Sequence, residues 1–378
     1  MAIRNFYNSI FILRPIKLQN TLELKFAVVL GTRPEIVKLA PIINKLNNKN
    51  SEIIFTGQHY DYNMSLQFIN QLEIRKPNHS FTLSNLEPSS QIGEIIIKLS
   101  KILKKIQPDT VIIQGDTNTV LSASISSLKL GIPISHVESG LRSFDWRMPE
   151  EHNRIATDHL SEFLFAPTNI SKNNLLSEKV HGKIFVTGNT VIDAIDKFAD
   201  MSKNKSKIHP DFDFVLMTLH RSENVDNKQV LSNIIRAVLN SQQEIIFPIH
   251  PRTFKMLKYF ELYNKLQQSK KIHLMPAVGY FEMLELMKRC SFIITDSGGI
   301  QEEATSPKIL KKVVIVRKTT DRPEAVQQGF SKLAGLSYSE IISTILKVAK
   351  NPSMPKRSSP YGNGTASAKI ISILKKLL

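Results

Sequence analysis

Leu24–Ile42, LKFAVVLGTRPEIVKLAPI, is the stretch that decides the fold. The run Leu24–Leu30 is apolar almost throughout, which predicts a strand buried on both faces. Gly31-Thr32-Arg33-Pro34-Glu35 then turns the chain, and Pro34 suits the first turn of a helix. Ile36, Leu39, Ala40, Ile43 and Leu46 follow at helical spacing. A buried strand, a tight polar turn and an amphipathic helix form one unit of a parallel α/β sheet.

The same unit recurs along the chain. Further strands are expected at Glu52–Thr56, Thr110–Gln114, Ile132–Val137, Phe163–Ala166 and Ile184–Thr187, with helices such as Gln91–Ile106 and Thr117–Leu130 between them. A second series follows at Phe214–Leu219, Glu244–Ile249, Ile272–Met275, Ser291–Thr295 and Val313–Arg317. Two such series predict two doubly wound, Rossmann-like domains. Residues 24–187 form the first and 188–360 the second, with 361–378 returning to the first and 1–23 as an N-terminal extension. Ligands bind beyond the carboxyl ends of strands in such sheets, so the cleft between the domains is the expected site. Polar clusters follow the strands as that geometry requires, from Gly31–Glu35 through His220–Asn224 to Lys318–Glu324. Solvated strand ends account for part of that pattern.

Bulk composition narrows the function. The chain has 378 residues, 42% of them hydrophobic, enough for two packed cores. No apolar run approaches the length of a membrane span. One cysteine, Cys290, excludes an internal disulfide framework and a cysteine-based zinc site, and fits a reducing, cytoplasmic setting. The formal net charge of +17 is spread over scattered lysines, with no arginine-rich arm and no nucleic-acid-binding signature. A basic solvated surface, or a field favouring a phosphorylated substrate, explains it better than nucleic acid. The first 23 residues lack the h-region and cleavage site of a secretory signal and read as a loosely packed extension.

Gly115–Arg154 holds the chemistry. Asp116, Glu138, Glu150 and Glu151 lie there, after apolar runs or in a proline-marked loop. Carboxylates facing one cleft can share acid, base and charge-stabilising work. Glu151 also reads as an acid at a helix start.

Thr295-Asp296-Ser297-Gly298-Gly299 follows a strand and opens a helix expected at Ile300–Ala304. The glycines let a ligand approach the backbone, and free helix N–H groups favour an anion. Neither a Walker loop nor GxGxxG is present, and a plain strand–helix turn is the competing reading. Arg322 after the next strand, and Arg33 from the first domain, would complete a diphosphate site. Glu303 suits a ribose diol or the helix dipole. His220 in MTLHRSEN and His250 in FPIHPRT read either as site residues or as histidines packed at strand ends. No spacing suggests a catalytic metal, and no cofactor is expected.

In chain order, GTRPEIVKLAPI (Gly31–Ile42), TGQHY (Thr56–Tyr60), QGDTNTVL (Gln114–Leu121), HVESGLRS (His136–Ser143), MPEEHNR (Met148–Arg154), VTGNTVIDA (Val186–Ala194), LHRSEN (Leu219–Asn224), TDSGGIQEEA (Thr295–Ala304), TTDRPEAV (Thr319–Val326) and SPYGNG (Ser359–Gly364) resemble the non-hydrolysing UDP-N-acetylglucosamine 2-epimerases. RPEIVKL and RSFDWRMPEEHNR are similar to archaeal-type members. The resemblance implies a GT-B fold with an interdomain cleft, a C-terminal helix near Ala366–Leu378 that crosses back, and a homodimer. It implies inversion at C2 of UDP-N-acetylglucosamine to give UDP-N-acetylmannosamine. UDP would be eliminated as C2 loses its proton, and would add back to a bound 2-acetamidoglucal. By motif, the catalytic groups fall on Asp116, Glu138, Glu150 and His220. The substrate-binding groups fall on Arg33, Lys38, Ser297, Gly298, Gly299, Glu303 and Arg322. Glu151 then drops out of the catalytic set.

Some positions depart from the family's pattern. Met283 stands where an aromatic packs on the uracil, leaving Tyr280, Phe281 or Met283 itself for that contact. Ser222 replaces a charged residue. Tyr60-Asp61 after Gln58-His59 is unlike members with a second, activating UDP-sugar site. TSPKILKKVV after Ala304 lacks the usual small-residue turn. The nearest rival is an epimerase on another UDP-amino sugar, such as a 2,3-diacetamido uronic acid, which extra basic residues in the sugar pocket would favour. A hydrolysing epimerase fits less well because Arg33-Pro34-Glu35 is intact. A GT-B glycosyltransferase would need an acceptor groove.

Overall fold

The structure, a computed structural model, describes residues 23–58, 68–84 and 87–378. The extension over residues 1–22 and the positions His59, Tyr60 and Asp61 lie outside the described residues.

Two all-parallel sheets carry the chain. The first is built from β1 (Phe26–Leu30), β2 (Ser51–Phe55), β3 (His79–Ser80), β4 (Thr110–Gln114), β5 (Ile134–Val137), β6 (Phe163–Ala166) and β7 (Lys183–Val186), in the order β3-β2-β1-β4-β5-β6-β7. The second is built from β8 (Val215–Thr218), β9 (Ile245–Ile249), β10 (Ile272–Pro276), β11 (Ile293–Thr295), β12 (Val313–Ile315) and β13 (Ser331–Leu333), in the order β10-β9-β8-β11-β12-β13. Strand order reverses between β1 and β4 and again between β8 and β11, so each sheet has a switch point where loops diverge and a crevice opens. This is the GT-B arrangement.

The central strands are apolar because helices cover both faces; every residue of β1, β4, β5 and β6 is buried. Two strands carry no such signal. His79–Ser80 and Ser331–Leu333 are short, partly exposed edge strands whose sequences, HS and SKL, show no apolar run. The helix Arg33–Ile43 starts where Pro34 predicts, with Thr32 and Glu35 forming a capping box. The helix after β11 begins at Gly298, not Ile300, and ends at Glu303. The two glycines therefore lie in its first turn.

Helix Thr190–Lys205 joins the sheets. Its Ala194, Ile195, Phe198 and Ala199 share one apolar core with Phe26 and Leu39 on the first sheet's side and Phe281, Leu284 and Ile293 on the second's. Ile370, Ile371 and Leu374 of the last helix, Ala366–Leu377, belong to that core, and the helix packs on Arg33–Ile43. The two crossings between sheets meet: Asn189 N–H donates to the Tyr361 carbonyl at 2.7 Å. Gly188 adopts a left-handed φ of +92°, and a Cβ there would press on that same carbonyl at 3.0 Å.

Candidate active site

A cleft of about 1100 Å³ opens between the carboxyl ends of the two sheets. Its walls carry Arg33, Glu35, Lys38, Gln114, Asp116, Glu138 and Glu150 from the first half of the chain. His220, Arg221, Tyr280, Met283, Ser297, Gly298, Gly299, Glu303, Asp321 and Arg322 come from the second. Every residue assigned to the site by motif therefore faces one space.

Glu138 is the best-anchored of the carboxylates. It follows β5 with a left-handed φ of +68°, a costly conformation for a side chain of this size. Lys38 Nζ donates to it at 2.5 Å, Arg322 at 3.0 Å, Gln114 Nε2 at 3.1 Å and Asn189 Nδ2 at 3.1 Å. Glu302, wholly buried, joins the cluster through Arg322 Nε at 3.0 Å, Asn189 at 2.9 Å and Lys38 at 3.4 Å. Burial works against the Lys38 charge, but Glu138 and Glu302 outweigh it and hold the ammonium above its ordinary range. Burial, with Glu138 adding to it, pushes Glu302 upward.

Arg322 was expected to grip phosphate. In this structure its guanidinium meets Glu302, Asp321 and Glu138 instead. It is a buried interdomain tie as well as a cleft wall. Arg33 is the exposed cation of that pair of arginines, with its guanidinium 5.8 Å from the Phe68 ring centre.

Asp116 follows β4 and forms an ion pair with Arg154. Arg154 also donates to Glu151 at 2.8 Å. Glu151 accepts from the backbone N–H groups of Ser143 (3.0 Å) and Phe144 (2.8 Å) and from the Ser143 hydroxyl (2.9 Å). It is more than an acid at a helix start: it closes the 143–148 loop that precedes Glu150. Glu150 itself is exposed, lines the cleft and makes no side-chain hydrogen bond to the described residues.

His220 Nδ1 lies 3.2 Å from Asp296, which leaves Nε2 for the cleft. Asp296 also accepts from the backbone N–H groups of His220 (3.1 Å) and Arg221 (3.0 Å). Burial would raise this carboxyl, yet His220 and those amides hold it below the ordinary range. His250 is exposed and caps the following helix through Arg252 N–H, so it is a neighbour of His220 with a structural duty of its own.

The Ser297-Gly298-Gly299 wall differs from expectation in one respect. The helix it opens has six residues, so its dipole is small. Glycine matters there through space: a Cβ on Gly299 would meet nothing nearer than the Ser297 hydroxyl at 4.0 Å. Glu303 lines the cleft, and desolvation pushes its carboxyl up to about 7. Of the three candidates for the base contact, Phe281 is buried in the core, while Tyr280 and Met283 line the cleft.

The family model described as UDP-N-acetylglucosamine 2-epimerase matches residues 43–375. The chain belongs to this family. The UDP-N-acetylglucosamine 2-epimerase of Methanocaldococcus jannaschii is 44% identical over 93% of this chain and 99% of its own. The crystal structure of that epimerase in complex with UDP-GlcNAc and UDP aligns with a TM-score of 0.84 at 42% identity, covering 93% of this chain and all of the other. The Neisseria meningitidis epimerase bound to UDP-GlcNAc aligns with a TM-score of 0.83 at 35% identity over the same shares. The UDP-2,3-diacetamido-2,3-dideoxy-D-glucuronate 2-epimerase of Pseudomonas aeruginosa is 34% identical over 94% of this chain and all of its own.

Within this epimerase fold, Glu302, Asp321, Asn189, Gln114 and Arg154 are the site residues that the sequence did not single out. Glu302 and Glu303 are adjacent on a short helix, about 100° apart in direction. Sequence alone does not say which of them turns inward. Asn189 sits in VTGNTVIDA, where the glycine before it marks the crossing between sheets.

Proposed function

We propose that the chain inverts C2 of UDP-N-acetylglucosamine to give UDP-N-acetylmannosamine, reversibly, by eliminating and re-adding UDP. A base takes the C2 proton while the C1–O bond breaks and its electron pair leaves with UDP. The 2-acetamidoglucal stays bound. UDP then re-forms the C1–O bond as C2 receives a proton on the opposite face.

The C2 proton is weakly acidic, so the reaction needs help at both ends. The observation that carries this reading is the placing of Asp116, Glu138 and Glu150 on one cleft, with Arg33, His220 and the Ser297-Gly298-Gly299 wall in the same space. Glu138, gripped by Lys38 and Arg322, suits a fixed charge facing C1, where positive charge builds. Asp116, oriented by Arg154, and Glu150, free of protein partners among the described residues, suit proton transfer. Arg33 and His220 suit the departing diphosphate, with Asp296 orienting the imidazole. Tyr280 and Met283 suit the base.

The cleft also favours an uncharged sugar. The cations beside the three carboxylates, Lys38, Arg154 and Arg322, are all spent on protein carboxylates. None of these three is left free to pair with a uronate. The test is a comparison of kcat/KM for UDP-N-acetylglucosamine and for its 2,3-diacetamido uronic acid counterpart, with products resolved by chromatography. The reading expects the first to be preferred by at least tenfold. Preference for the uronate would overturn the substrate assignment while leaving the C2 chemistry in place.

A further inference from the structure

His136 lies in β5 beside Ile113 of β4, and it is the one histidine among the described residues that is fully buried. Its Nδ1 stands 2.7 Å from the Asp158 carboxylate and its Nε2 stands 2.8 Å from the Gly115 carbonyl oxygen. Both partners are acceptors. The carbonyl has no proton to give. Asp158 already accepts from Gly140 N–H at 3.0 Å and pairs with Arg142 at 2.8 Å.

A neutral imidazole carries one N–H and one lone pair. In this setting one ring nitrogen would aim its lone pair at an oxygen lone pair, in a place no water reaches. A ring that donates from both nitrogens satisfies both contacts. The surroundings agree: His136 and Arg142 both face Asp158, and Arg142 also pairs with Glu178 at 2.6 Å. The other charged groups nearby are engaged elsewhere. Asp116, next to Gly115, pairs with Arg154 of the helix that carries Asp158, and Glu138 pairs with Lys38 and Arg322.

The two contacts reach the backbone on either side of the proposed catalytic carboxylates. Gly115 precedes Asp116 and has a φ of +88°. Gly140 follows Glu138 by two residues and has a φ of +78°, with no room for a Cβ, which would lie 2.3 Å from the Ser171 carbonyl. We propose that His136 is a positioning residue that donates from both ring nitrogens, fixing the Gly115 carbonyl directly and the Gly140 amide through Asp158. It thereby sets the two strand ends from which Asp116 and Glu138 reach the cleft. This rests on the C2-epimerase reading of the cleft, but its protonation state is measurable without it.

The experiment is nitrogen NMR on the full chain labelled in histidine. The expected spectrum at neutral pH shows one histidine with protons on both ring nitrogens and slow solvent exchange, absent from the spectrum of His136→Gln. If that variant does not fold, slow exchange of the buried ring assigns the signal. A bare ring nitrogen on His136 overturns the proposal. In a folded His136→Gln, kcat for epimerisation falls by about tenfold or more while KM changes by less than about twofold. An unchanged kcat overturns the positioning role. Failure of the epimerase reading would show separately, as wild-type protein inactive on the UDP-sugar.

Discussion

Glu138 combines three features that each cost stability: a left-handed backbone, burial, and a share in a cluster of two cations and a second carboxylate. Such a site is kept where geometry matters. Glu138→Gln keeps the shape and removes the charge, and its rate of C2 exchange should fall roughly 100-fold or more with UDP affinity little changed. Isothermal titration with UDP alongside the rate separates the two. Glu35 makes a prediction of a different kind. Burial raises its carboxyl from 4.5 to about 7 in the folded chain, despite bonds from Thr117, Gly31 and Thr32. Between those pH values the folded state holds more protons than the unfolded state, so this group's contribution to stability falls as pH rises from about 4.5 to about 7. The shift corresponds to a loss of about 3 kcal/mol once complete. Glu35→Gln does not titrate. Its urea midpoint should therefore gain on the wild type between about pH 5 and pH 8; a constant difference would contradict the assignment.

At the scale of elements, the turns between strands and helices do the work. The 143–148 loop is closed by Glu151 and, through Arg154, tied to Asp116. It carries Trp146, 62% exposed and in tilted contact with the His152 ring, centroids 5.0 Å apart. Glu151→Ala should free this loop, seen as faster limited proteolysis between Phe144 and Arg147, with a lower kcat. Gly299→Ala should leave the fold and thermal midpoint unchanged, because the protein has room for the methyl, yet weaken UDP binding by about tenfold. Unchanged affinity would move the diphosphate away from that wall. How much of this the sequence disclosed follows from what each element buries. Thr110–Gln114 and Phe163–Ala166 were legible to the residue because helices cover both their faces. His79–Ser80 and Ser331–Leu333 were not, since edge strands lie where no apolar run is required. The motif residues all reach the cleft, as strand ends in parallel sheets do. Glu302 and Asp321 escaped notice because their duty is to neutralise Lys38 and the arginines, a relation across more than 250 residues in the case of Lys38 and Glu302.

At the scale of the molecule, the two sheets are joined by one apolar core and one ionic cluster. The domain division proposed here, between Thr187 and Gly188, falls where both crossings of the chain meet. Arg322 is an ionic link across it, on Glu138 from one side and Glu302 and Asp321 from the other, and Lys38 on Glu302 is a second. Arg322→Ala leaves three carboxylates without their shared cation and should cost about 3–5 kcal/mol, read as a lower unfolding midpoint. Small-angle scattering on the same variant should show a wider cleft. The proposed epimerisation turns on one chemical event, removal of the proton at C2 while UDP stays bound. Incubation with UDP-N-acetylglucosamine in D2O, followed by NMR, tests it most directly. The prediction is deuterium at C2 together with a second UDP-sugar carrying the same label. Unchanged protium at C2, or free UDP with free amino sugar as the main products, would contradict it.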